Sequence, residues 1–214
     1  TLPFVSVIIA ARNESHNLPL LLEALKKLNY PSDKFEILFG DDQSEDDTGQ
    51  LIKAFCAIQS NAFYNLIEPS ETQVAKANVL MQLVQRSKGE FLYFLDADMN
   101  PNPKILHSFI ELFSSEVAGV TGVTLPEGKG IFAHWQKIDW GGTLKLIAAT
   151  ERLGYTSTAM GNNMVVRKLD YIAVGGYQSL PKSTVEDFIL YKAIREVGRK
   201  FSIQFSKSLL AKTA

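Results

Sequence analysis

The residues most suited to chemistry in this chain are acidic, and they come in short clusters. Asp96-Ala-Asp98 places two carboxylates one residue apart, directly after the apolar run Phe91-Leu-Tyr-Phe-Leu95. Along an extended chain, side chains i and i+2 point the same way, so Asp96 and Asp98 can face one site. Two crowded carboxylates repel and lose solvation. A hard divalent cation, Mg2+ or Mn2+, relieves that crowding and completes its shell with water and phosphate oxygens. The same spacing also suits a plain turn before Pro101, with Asp98 capping the next helix, and spacing alone leaves both readings open. Asp41-Asp42, after the apolar run 35–40, divides in the same way between ligand carboxylates and a solvated helix start favoured by the dipole. Glu186-Asp187 is the third pair, again either reactive or an acidic first turn capped by Thr184.

These clusters must be positioned by the elements around them. Residues 4–11 read as a buried strand, because their apolar residues do not simply alternate, and 35–40, 65–67, 91–95 and 117–123 read as further strands, the third of them short. Leu18, Leu21, Leu22, Leu25 and Leu28 recur at helical spacing, and Pro31 closes that helix. Asp46-Asp47-Thr48 supplies capping side chains for a helix through Leu51, Ile52 and Phe55. Residues 75–86 and 105–113 read as further helices, the first ended by a left-handed cap at Lys88-Gly89. Strand and helix alternating over the first half predict βαβ units and a mostly parallel sheet. In such sheets ligands bind outside the carboxyl ends of the strands, where the acidic clusters fall. Beyond residue 125 the alternation weakens. Residues 161–167 read as a turn into a strand, and 185–197 as a helix ended by Gly198.

Composition narrows the function classes. The 214 residues carry 22 Lys and Arg against 23 Asp and Glu, a net charge of −1, which excludes a strongly basic nucleic-acid footprint. The lone Cys56 removes every cysteine-based zinc pattern, and His16, His107 and His134 stand far apart. No apolar run approaches the roughly 20 residues that span a bilayer. The loop after the first strand, Ala10-Ala-Arg-Asn-Glu14, has no glycine. That argues against a dinucleotide dehydrogenase and against a sugar-nucleotide nucleotidyltransferase. Residues 132–155 are rich in aromatics, among them Trp135 and Trp140. They suit an acceptor sugar, an ordinary core helix or a helix at a lipid interface.

Taken in order, the segments resemble the family 2 glycosyltransferases, which include cellulose, hyaluronan and chitin synthases. The opening is Val5-Ser-Val-Ile-Ile-Ala-Ala-Arg-Asn-Glu14, followed by Leu28-Asn-Tyr-Pro31 and Glu36-Ile-Leu-Phe-Gly-Asp-Asp-Gln-Ser-Glu-Asp-Asp-Thr48. Lys76-Ala-Asn-Val-Leu80 resembles the helix-start motif, and Gly89-Glu-Phe-Leu-Tyr-Phe-Leu-Asp-Ala-Asp98 the metal motif. Gly161-Asn-Asn-Met-Val-Val-Arg167 and Val185-Glu-Asp187 resemble the acceptor-side segment and the base motif.

The resemblance implies an α/β GT-A fold, Rossmann-like, with a mostly parallel sheet, flanking helices and a smaller acceptor-side half. One domain is expected over residues 1–214, with 1–125 holding the nucleotide sugar and 126–214 the acceptor. It implies that Ala10, Arg12, Glu14, Asp41, Asp42, Lys76 and Asp96 surround the donor and that Asp98 ligates the metal. Gly161, Asn162, Asn163 and Glu186 would lie on the acceptor side, with Asp187 as the base. The implied reaction is metal-dependent, inverting transfer from a UDP- or GDP-linked sugar to a saccharide or lipid-linked acceptor. A catalytically weak nucleotide-sugar-binding module or a sugar-nucleotide nucleotidyltransferase is the alternative. By the same resemblance the chain is a piece of a longer, membrane-associated enzyme at the cytosolic face. Two departures stand out. No Gln-x-x-Arg-Trp follows Asp187, a motif of members that extend polysaccharides, and Gln43 stands where glycine is frequent.

Overall fold

The computed structural model describes residues 2–126, 142–143, 145–147, 149–150 and 160–213. Four parallel strands form its centre: β1 (Val5–Ala11), β2 (Phe35–Asp41), β3 (Ala62–Leu66) and β4 (Phe91–Asp96). The helices between them are α1 (Leu18–Leu25), α2 (Thr48–Ile58) and α3 (Ala75–Arg86). Past β4 come β5 (Met99–Pro101), α4 (Ile105–Ile110), β6 (Val117–Thr121), β7 (Val123–Pro126) and β8 (Asn163–Arg167). The chain continues through α5 (Lys168–Ala173), α6 (Gly176–Ser179), α7 (Glu186–Glu196), β9 (Lys200–Ile203) and β10 (Leu210–Thr213).

The main sheet runs β3-β2-β1-β4-β8-β6-β9. Strand β8 is antiparallel to both β4 and β6, and the other pairs are parallel. A second sheet, β5-β10-β7, has β10 at its centre. Strands buried on both faces need apolar residues at successive positions, and β1 meets that need. Val7 and Ile9 pack with α1, α2 and α4, while Ile8 joins α3, α6 and α7 on the opposite face. Leu18, Leu21, Ile52, Phe55 and Phe109 fill the first layer; Val79, Leu83, Tyr177, Leu190 and Ile194 fill the second.

After β3 the chain crosses over β2 and β1 to enter β4 on the far side. Helices α1 and α3 therefore leave opposite faces of the sheet, and a crevice opens at the carboxyl ends of β1 and β4. This topological switch point is where open α/β sheets hold ligands.

Four local expectations change. The run 117–123 is two strands in two sheets, parted at Gly122. The third strand is Ala62–Leu66, and the helix expected over 105–113 stops at Ile110. Helix α3 ends on extended Ser87, not on a left-handed glycine. Gly89 is required instead for space, because a Cβ there would stand 2.5 Å from the Ser6 backbone nitrogen.

Candidate active site

The crevice contains a cavity of about 330 Å3. Ala10, Ala11, Arg12 and Glu14 line it from β1 and its following loop, and Asp42 from the end of β2. Asp96, Ala97 and Asp98 close it from the end of β4, and Ala75, Lys76 and Val79 from the start of α3. Asp96 and Asp98 thus share one site, as their spacing predicts. The adjacent pair divides: Asp42 lines the cavity beside Arg12, 3.4 Å away, whereas Asp41 is buried. The Asp41 carboxylate accepts hydrogen bonds from the Ser44 backbone N–H (2.9 Å) and the Tyr64 hydroxyl (3.0 Å) and braces the loop.

That loop is held by a lattice of hydrogen bonds. Glu14 N–H donates to Thr48 Oγ1 (2.7 Å), Asn13 N–H to Ser44 Oγ (3.0 Å) and Ser15 N–H to Asp46 Oδ2 (3.1 Å). Asp46 also accepts from Thr48 N–H, the first residue of α2, so it holds loop and helix together. The bonds from Thr48 and Ser15 hold its carboxyl far below the usual carboxylate range. Among the described residues, the non-glycine residues with left-handed backbone are Asn13, Gln43 and Ala75. Each belongs to one of the three segments around the crevice. Backbone strain of this kind gathers at functional sites.

The electrostatics are crowded. Burial pushes the Asp98 carboxyl up from its ordinary value, and the charges of Asp96 and Glu14 push the same way against Lys76. Lys76 Nζ lies 2.5 Å from Asp96 Oδ1 and 3.2 Å from Glu186 Oε1. Burial lowers the affinity of Lys76 for its proton, but these two carboxylates outweigh it and hold the ammonium above its ordinary value.

Across Lys76 and Asp96 lies a second cavity of about 460 Å3, lined also by Ile147, Met160, Gly161, Asn162, Thr184, Val185, Glu186 and Asp187. Asp187, in the first turn of α7, accepts from the Gly161 N–H (2.9 Å) through Oδ2 and from the Phe188 N–H (2.7 Å) through Oδ1. Position 161 tolerates only glycine at this approach, since a Cβ would stand 2.5 Å from Asp187 Cβ. Asn162 Oδ1 accepts from Thr124 Oγ1 at 2.9 Å. Asn163 does not face the cavity. It is wholly buried, accepting from the Tyr93 hydroxyl (3.0 Å) and donating to the Leu209 (2.9 Å) and Val123 (3.3 Å) carbonyls.

Sequence reasoning missed Gln73. Its buried amide N–H groups donate to the Tyr177 (2.5 Å) and Leu180 (2.8 Å) carbonyls, tying the start of α3 to the segment before α7. A glutamine ahead of a helix has no periodic signature that would single it out. Trp135 and Trp140, considered for the acceptor side, lie outside the described residues. Among the described residues, no group of three His, Cys, Asp or Glu side chains is arranged to hold a metal, and no helix is long and apolar enough to cross a membrane. Burial pushes the Cys56 thiol up to about 11, so it is not a thiolate at neutral pH.

Known proteins are similar to this chain in sequence and in fold. The chain is 33% identical over 134 residues to glycosyltransferase AglE of Haloferax volcanii, covering 63% of this chain and 41% of that protein. It is 27% identical over 180 residues to a beta-monoglucosyldiacylglycerol synthase of Trichormus variabilis, covering 83% of this chain and 38% of that one. The chain therefore spans about two fifths of the length of these curated relatives. Among solved structures, the mannosyltransferase PcManGT from Pyrobaculum calidifontis, in complex with GDP-Man and Mn2+, superimposes with a TM-score of 0.78 at 21% identity. That match covers 100% of this chain and 57% of the other, and it establishes a GT-A type fold. The family model for "Glycosyl transferase family 2" matches residues 6–172. With most of its length inside that match, and with the crevice at the switch point of its sheet, the chain belongs to glycosyl transferase family 2.

Proposed function

We propose that this chain is the catalytic domain of a metal-dependent, inverting glycosyltransferase. It takes a sugar from a UDP- or GDP-linked donor and passes it to a saccharide or lipid-linked acceptor. Residues 1–125 hold the donor and 126–214 the acceptor.

The charge balance of the two adjoining cavities carries this reading. Their described walls bear six carboxylates (Glu14, Asp42, Asp96, Asp98, Glu186 and Asp187) against two cations, Arg12 and Lys76. A nucleoside diphosphate brings further negative charge, so it needs a cation beyond the two on these described walls. Asp98 suits a divalent ion because its carboxylate is crowded and partly desolvated, with Asp96 beside it. Mg2+ and Mn2+ use one or two protein carboxylates and fill the shell with phosphates and water, so three protein ligands are not required. When bound, the ion supplies Lewis-acid stabilisation of the departing diphosphate. With that in place no protein acid is needed for the leaving group, in contrast to glycosidases.

The rest falls to side chains. Asp42, with Arg12 beside it, sits where it can accept from a ring N–H of the base. Asp187, across the shared wall, takes the proton of the acceptor hydroxyl as its oxygen attacks the anomeric carbon. Attack from the face opposite the leaving group inverts that carbon. The name of the Trichormus variabilis relative, a beta-monoglucosyldiacylglycerol synthase, supports a lipid-linked acceptor, and in this reading the transfer takes place at the cytosolic face of a membrane.

The test is a panel of UDP- and GDP-sugars, with and without Mn2+, followed by calorimetry and by release of the nucleoside diphosphate. Metal-dependent binding of one nucleotide class supports the reading. Equal binding with and without metal would remove the ion from the mechanism, and no binding of either class would remove the donor site.

A further inference from the structure

Glu186 lines the acceptor-side cavity, yet its carboxylate is buried and already engaged by Lys76 Nζ at 3.2 Å. Lys76 in turn touches Asp96 at 2.5 Å, and Lys76 and Asp96 line both cavities. The next residue, Asp187, is held from the other side by the Gly161 N–H. A second tie runs parallel to the first, because Gln73 near the start of α3 donates to the carbonyls of Tyr177 and Leu180 ahead of α7.

The geometry points to Glu186 as a positioning residue. Through Lys76 it fixes the first turn of α7 to the donor half and so sets where Asp187 stands relative to the anomeric carbon. This rests on the proposed transfer reaction and deepens it. An ammonium has three N–H donors, so Lys76 can serve Asp96, Glu186 and a donor phosphate oxygen together. Glu186 contributes no contact to the acceptor. Removing the Glu186 charge leaves Lys76 held by Asp96 alone, so the first turn of α7 loses its tie to the lysine and relaxes. Displacing a catalytic group by about 1 Å costs roughly 100-fold in rate.

Water serves as the acceptor in the decisive test, because hydrolysis of the donor needs the base but none of the acceptor contacts. Glu186→Gln, Lys76→Gln and Asp187→Asn are compared using UDP-glucose and GDP-mannose with Mn2+. We expect Glu186→Gln to lower hydrolysis about 10- to 100-fold while affinity for UDP or GDP stays within about twofold. Amide hydrogen exchange over residues 186–190 rises in both Glu186→Gln and Lys76→Gln. Glu186→Asp, which keeps the charge but shortens the reach, recovers part of the rate and stands in if the glutamine variant does not fold. Unchanged hydrolysis in Glu186→Gln makes Glu186 an acceptor contact or an idle residue and overturns the proposal. If the wild-type protein binds neither nucleotide, the transferase reading itself fails. The tie is then decided by exchange alone, and unaltered exchange in both variants overturns it.

Discussion

The two sides of the crevice are built from different kinds of backbone. On the donor side, the lining side chains leave the end of a parallel strand or the start of the helix that follows one: Asp42 after β2, Asp96 at the end of β4, Lys76 in α3. Their places follow from the strand order, and the whole first half of the chain enforces them. On the acceptor side, Asp187 depends on two local contacts, the Gly161 amide and its own helix start, beside the antiparallel β8. One side is fixed by topology and the other by a few specific bonds. Damage to the donor side should therefore show in binding, and damage to the acceptor side in turnover.

The sharpest way to break that division is Asp187→Asn. Turnover should fall about 10²- to 10⁴-fold, the range of a lost general base, with nucleotide affinity retained in calorimetry. Parallel loss of nucleotide binding would show that the two sides are not separable. Next in size is Asp98→Asn, which should weaken metal-dependent nucleotide binding on the order of 100-fold, since the ion supplies several kcal/mol of charge stabilisation. The same variant should raise the melting temperature of the ligand-free protein. The Asp98 carboxyl titrates above its unfolded value, so its charge opposes folding at neutral pH, and stability falls as pH rises through that transition. A lower melting temperature at pH 7 would reverse that sign.

Asn163→Leu tests whether the acceptor side is also held from beneath. It strands the Tyr93 hydroxyl and the Leu209 and Val123 carbonyls, and should cost about 2 kcal/mol in urea unfolding. A direct role in transfer would instead lower activity with stability intact. The smallest effect is expected from Ala75→Gly. Relief of the left-handed backbone is worth about 1–2 kcal/mol, and the added freedom of the unfolded chain takes back about 0.4–1 kcal/mol. A net gain of about 0.5 kcal/mol should follow, and a loss would mean that Ala75 is not strained.

Much of the first cavity's wall was legible in the sequence. Apolar runs, interrupted only by Ser6 in β1 and Glu36 in β2, marked β1, β2 and β4 because strands covered on both faces are largely apolar. Helix α3 was read to its exact bounds, 75–86, from the spacing of Val79 and Leu83. Asp96 and Asp98 fell together because a one-residue gap at a strand end leaves little choice. The rest was hidden where the determinant is long-range. Strands β5, β9 and β10 are three or four residues long, too short for a period to show, and exist because partners distant in sequence pair with them. Asn162 and Asn163 are neighbours of one type, yet one lines the cavity and the other is wholly buried, a split decided by the strand that starts between them. Asp41 and Asp42 divide in the same way at the end of β2.

Strand β8 has a consequence for how the molecule is made. It lies between β4 and β6 and pairs with β4 from Phe91↔Arg167 to Leu95↔Asn163. Strands β1 and β2 pair across 30 residues (Val5↔Phe35), whereas β4 joins β1 across 86 (Val5↔Phe91) and β8 joins β4 across 76 (Phe91↔Arg167), so these last two pairings carry the larger closure entropy. Assembly is then expected to begin with β1 to β3 and their helices, with β4 and β8 joining afterwards. Gly161 and Asn162 directly precede β8 and line the second cavity, so that cavity is completed in a late step. A refolding chain should accordingly recover far-ultraviolet helix signal before it recovers nucleotide-dependent catalysis, with β8 docking as the event in between.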